Sequence, residues 1–111
     1  MRIKFFSKGT TLIASIAGEL DHHWAEYVRQ KMDGEILKTT TRDVILDFSN
    51  VTFMDSSGIG VILGRYKNIQ KLNGKIAIIN LSAQVKRVLE MSGLLKIIPM
   101  YDNLDIAINN M

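Results

Sequence analysis

The densest run of chemically capable residues is Asp55-Ser56-Ser57-Gly58, two hydroxyls and a carboxylate directly ahead of a glycine. Downstream, Ile59, Ile62, Leu63, Tyr66 and Ile69 recur at helical spacing, so the sequence predicts a helix from about Ser57 to Lys71. The serines therefore stand at a helix N-terminus, where backbone N–H groups lack helical partners and the macrodipole is positive. A serine there has an ordinary structural task, capping, for which one Ser or the Asp suffices. The remaining polar groups allow a second use. A phosphate on a serine would meet free N–H donors and a favourable dipole, an interaction of about 0.3–1 kcal/mol when exposed. It would also add roughly −1.5 to −2 charges. Such a site could hold a phosphoserine without unfolding, while a docked partner would feel a large change.

Other chemistries fail on spacing. A nucleophile elbow needs glycine two residues before the serine, where Met54 and Asp55 stand instead. Gly64-Arg65-Tyr66 lacks the Gly-Lys-Ser/Thr of a Walker loop, and Leu63 occupies the third glycine position of a dinucleotide fingerprint begun by Gly58 and Gly60. His22 and His23 are adjacent, so they cannot share a helix face as zinc ligands do. No base and nucleophile can be paired, and no catalytic residue, metal or cofactor is expected.

The predicted helix has a second face. Gly60, Val61, Gly64 and Asn68 lie opposite a core stripe of Ile59, Ile62 and Tyr66. Gly60 and Gly64 each cost about 1 kcal/mol of helix propensity with no turn to explain them. Small residues four apart form a shallow groove, either for another chain or for a neighbouring element of this one.

The elements that position this segment follow from periodicity and turn residues. Ile3–Phe6 and Thr11–Ala17 read as strands of a hairpin joined by Ser7-Lys8-Gly9-Thr10. Asp21 is placed to cap a helix from His22 to about Lys38, with Trp24, Ala25, Val28, Met32 and Ile36 on one stripe. Val44–Phe48 is a buried strand, and Ser49–Asp55 a loop into the serine-bearing helix, which Asn73-Gly74 ends. Lys75–Asn80 is a strand, followed by a Ser82-capped helix with Val85, Val88 and Leu89 inward and Gly93 beyond its end. Lys96–Ile98 reads as a short strand before Pro99, the one proline, and Tyr101–Met111 as a terminal helix capped by Asn103. Alternating strands and helices demand a small α/β domain. Its sheet is mixed but largely parallel, of four to five strands, with helices mainly on one face.

Composition narrows the function further. The 111 residues are 47% hydrophobic, enough for one domain spanning 1–111. A formal charge of +3 with both signs dispersed describes no polybasic nucleic-acid arm. Zero cysteines exclude disulfides and thiolate sites. No apolar run reaches the ~18 residues of a membrane span, and the N-terminus lacks a signal peptide's apolar core. A cytoplasmic protein, with no direct nucleic acid and no membrane insertion, is expected.

The run Phe53-Met54-Asp55-Ser56-Ser57-Gly58-Ile59-Gly60-Val61-Ile62-Leu63-Gly64-Arg65-Tyr66 resembles the anti-sigma factor antagonists of the STAS domain family. Gly18-Glu19-Leu20-Asp21-His22-His23, Val85-Lys86-Arg87 and Met91-Ser92-Gly93-Leu94 extend the resemblance over essentially the whole chain. It implies that Ser57 is the phosphoacceptor and that the kinase is the anti-sigma factor itself, using ATP. Unphosphorylated antagonist would bind the ADP-bound anti-sigma factor and free the sigma factor, controlling sporulation transcription; a PP2C-type serine phosphatase would reset the switch. The resemblance implies a partner contact at Asp21, with Ser56, Ile59 and Gly60 near the acceptor; Asp55 of the polar cluster and Val61 of the face opposite the core stripe complete the expected partner-binding residues. The alternative is a STAS scaffold or a sensor module holding a nucleotide or other small ligand at the Gly58–Gly60 turn.

Overall fold

The computed structural model describes residues 1–111. Strands β1 (Arg2–Lys8), β2 (Thr11–Leu20), β3 (Asp43–Met54), β4 (Ile76–Ile79) and β5 (Met100–Tyr101) form one sheet in the order β1-β2-β3-β4-β5. The β1–β2 pair is antiparallel and every later pair is parallel. Helices α1 (Ala25–Lys38), α2 (Ser56–Lys71) and α3 (Ala83–Ser92) are the crossovers. Because each right-handed crossover steps the sheet in the same direction, all three fall on one face.

The period-two alternation of the strands sorts the core into two layers. Leu12, Ala14, Ile16, Val44, Leu46, Phe48, Ile76 and Ile78 join Val28, Met32, Val61, Ile62, Ile69, Val85 and Leu89 beneath the crossovers. Ile13, Ile45 and Ile79 point the other way, onto Ala107 of α4 (Leu104–Asn110). The short terminal helix therefore covers the apolar residues of the second face. Asn103 caps it as expected, its Oδ1 accepting from Ile106 N at 2.9 Å.

Several sequence expectations change. Ser49–Met54 is not a loop: β3 continues to Met54 and β2 to Leu20. The pairing shifts register between Ser15 and Ala17 and again between Gly18 and Glu19, and Gly18 takes a φ of 119°. Polar Ser49 and Asn50 are tolerated because this stretch is exposed at the bulged end of the pair. Lys96–Ile98 is no strand; Leu94–Lys96 forms a single 3-10 turn and β5 follows Pro99. Residues 22–24 form a turn, and α1 begins only at Ala25. At the end of α2, Asn73 supplies the left-handed residue at φ 59°. Gly74 is needed for a different reason, since a Cβ there would stand 1.7 Å from the Arg42 carbonyl oxygen. The methionines divide: Met32 and Met54 fill the core, while Met91 is 82% exposed.

Candidate functional site

Parallel pairing of Leu20 with Met54 delivers two chain exits to the same place at the carboxyl ends of β2 and β3. Asp21 leaves one strand and Asp55 the other. Asp55 has extended backbone and caps α2: its Oδ1 accepts from Ser57 N at 2.9 Å and from Gly58 N at 3.4 Å. Its Oδ2 accepts from His22 N at 3.2 Å, so one carboxylate ties the α2 terminus to the β2–α1 turn. Asp21 organises that turn, with Oδ1 accepting from Trp24 N at 3.1 Å and the carbonyl from Ala25 N at 2.9 Å.

This settles which group caps the helix. Asp55 does, and neither serine hydroxyl is spent on it. Ser56 is exposed, and the half-buried Ser57 hydroxyl has one side-chain hydrogen-bond partner, His22, whose Nδ1 lies 3.4 Å from Oγ. The expectation of free N–H donors is corrected at Ser57 and Gly58, whose amides Asp55 occupies. Gly58 is buried, and a Cβ there would stand 2.6 Å from the Leu20 carbonyl oxygen and 2.8 Å from Met54 Cγ. Its absent side chain is what lets α2 start flush against the end of β2.

The helix face divides differently from the expected wheel. Val61 is 7% exposed and belongs to the core, so it is withdrawn from the docking face. Ile59 and Tyr66 are half-buried at the margin of that core. Gly60 is exposed and Gly64 half-buried, and a Cβ at either would meet nothing within 4 Å. No element of this chain fills the space above them, which removes the intramolecular explanation for these two glycines.

Sequence reasoning missed two features. Trp24, His23 and Tyr27 form an edge-to-face aromatic row beside the turn, with ring centroids 4.9 and 5.6 Å apart. Arg65, expected only as part of a motif, is buried, with Nε 2.9 Å from Asp33 Oδ1 across the α1–α2 contact and Nη1 unpartnered. Burial holds its pKa below the usual guanidinium value, and Asp33 opposes that shift. Asp33 also faces Arg29, which pairs with Glu26 and holds the Glu26 carboxyl below its ordinary pKa, chiefly through its side-chain hydrogen bond. The signal for this network was the i, i+3 and i, i+4 spacing of Glu26, Arg29 and Asp33.

A five-stranded sheet with three crossovers on one face and a serine-bearing helix start beside the β2 exit defines a class. The STAS domain description matches residues 4–107, and the chain belongs to that family. Among its relatives, the anti-sigma F factor antagonist of Paenibacillus polymyxa is 49% identical over 83% of this chain and 79% of its own length. The solved structure of the anti-sigma factor antagonist SpoIIAA in its unphosphorylated form superposes with a TM-score of 0.84. Its identity is 32%, over 98% of this chain and 95% of that one. The Bacillus cell fate determinant SpoIIAA in the phosphorylated form gives 0.75 at 31% identity, covering 98% of both chains. No helix is long and apolar enough to cross a membrane.

Proposed function

We propose that this chain is an anti-sigma factor antagonist, switched off by phosphorylation of Ser57. The observation that carries the reading is the division of labour at the α2 terminus: Asp55 caps the helix and leaves the Ser57 hydroxyl uncommitted to the fold. The chain acts as substrate and ligand, with no catalysis of its own. Its partner is an anti-sigma factor that is also the serine kinase, binding ATP or ADP, and a PP2C-type phosphatase in the same cytoplasmic compartment restores the hydroxyl. Asp21, Asp55, Ser56, Ile59 and Gly60 border the acceptor and form the contact surface.

The switch is electrostatic and steric at a preformed surface. A phosphate desolvated in an interface without compensation costs several kcal/mol, and each 1.4 kcal/mol is tenfold in affinity. The SpoIIAA structures, unphosphorylated and phosphorylated, both share the fold of this chain, which supports a change of charge over a change of shape. A nucleotide held at the Gly58–Gly60 turn, the alternative, would need the amides that Asp55 occupies.

Incubation with ATP and the anti-sigma factor, followed by intact mass spectrometry, tests the reading. Wild type is expected to gain one phosphate, and Ser57→Ala none while still binding the partner. Labelling that persists in Ser57→Ala would move the acceptor elsewhere.

A further inference from the structure

The His22 imidazole is the one side chain within hydrogen-bond distance of the Ser57 hydroxyl, at 3.4 Å, the outer edge of that reach. Its placement is built. The His22 backbone N–H donates to Asp55 Oδ2, while Oδ1 of the same carboxylate holds the Ser57 and Gly58 amides. One side chain thus fixes both the turn that carries the imidazole and the helix start that carries the hydroxyl.

The same arrangement creates a problem for a phosphate. The amides of Ser57 and Gly58 are committed to Asp55, so the new charge meets a carboxylate where a bare helix terminus would offer donors. Within α2, Asp55 leaves only the Ser56 amide unoccupied among the first three N–H groups, so any further compensating donor would come from outside the helix. An imidazole can serve in both states: an unprotonated Nδ1 accepts from a hydroxyl, and Nδ1–H donates to a phosphate oxygen. Its titratable neighbours in the chain are Asp21 and His23; across the site, Asp55 accepts from its backbone N–H and Ser57 Oγ lies against its Nδ1.

We propose that His22 is the internal partner of the Ser57 phosphate, accepting from the hydroxyl in the unmodified chain and donating from Nδ1 to a phosphate oxygen in the modified one. His22 makes and breaks no covalent bond; it positions the acceptor and then holds the modification against Asp55. The proposal rests on the assignment of Ser57 above.

The test uses the full chain with phosphoserine installed genetically at position 57, so that the modification depends on no kinase. Nitrogen-15 spectra of the imidazoles are expected to show His22 Nδ1 changing from acceptor to donor on phosphorylation, with His23 unmoved. Phosphorus-31 titration follows the second phosphate ionisation, which a nearby donor lowers. In His22→Ala, which keeps the backbone N–H to Asp55, its midpoint is expected to rise by about 0.4–1 pH unit. His22→Asn, which retains a side-chain donor, should recover part of the shift. An unmoved His22 Nδ1, or equal midpoints in wild type and His22→Ala, overturns the assignment of His22 alone. Failure of the kinase to label Ser57 in the unmodified chain overturns instead the reading on which it rests.

Discussion

Replacing Gly60 and Gly64 by alanine should make the protein more stable and its partner complex weaker. Both glycines sit inside α2, where alanine is favoured by about 0.8–1.0 kcal/mol per position. Nothing in the fold opposes that gain, because an added Cβ would meet no atom within 4 Å at either site. The double variant should therefore gain about 1.6–2 kcal/mol, a rise in Tm of roughly 5–15 °C for a domain of this size. If the proposed contact surface at Gly60 continues along this face to Gly64, the same two methyl groups would stand where a partner approaches closely. Overpacking of that kind costs about 1–3 kcal/mol, or roughly five- to 150-fold in affinity. Urea unfolding and calorimetric titration with the anti-sigma factor measure the two effects on the same preparations. A stabilised variant that binds as well as wild type would show that this face is not the docking surface. A destabilised one would refute the claim that the face is empty.

Gly58→Ala should behave oppositely although it lies two residues away. Its methyl must displace the Leu20 carbonyl and Met54, so a net loss of about 1–2 kcal/mol is expected in urea unfolding despite the propensity gain. Asp33→Ala removes the only carboxylate in ion-pair contact with buried Arg65, leaving Glu26 to act from farther off, and should cost about 1–3 kcal/mol, a figure reduced by the partial exposure of Asp33. Arg65→Met, which removes the buried charge itself, should be close to neutral, and a larger loss there than in Asp33→Ala would sink this account. Carbon-13 titration should place the Glu26 carboxyl below the usual carboxylate range and return it toward that range in Arg29→Gln. Because the folded-state value is depressed, the associated stabilisation is present at neutral pH and is lost as pH falls through it; at this exposed pair it is small.

Much of the local structure was legible from residue types. The helix bearing Ser57, the caps at Ser82 and Asn103 and the largely parallel sheet follow from periodicity and chain order. Ser49–Met54 was not legible as strand because its polar residues carry turn signals. Only pairing with the bulged end of β2 makes it extended. Arg65 was hidden for a related reason: its position on the wheel is ambiguous until Asp33 arrives from α1.

Within the site, the sequence by itself determined that hydroxyls and a carboxylate stand at a helix N-terminus, since that depends on local spacing alone. It could not decide which of them caps the helix or what faces the acceptor. Those outcomes depend on where β2 ends relative to β3, a matter of register between segments more than thirty residues apart. Tertiary structure assigned the cap to Asp55, pressed Gly58 onto Leu20, drew Val61 into the core and brought His22 to Ser57. Packing and hydrogen-bond saturation select among chemically equivalent groups only once their neighbours are in place.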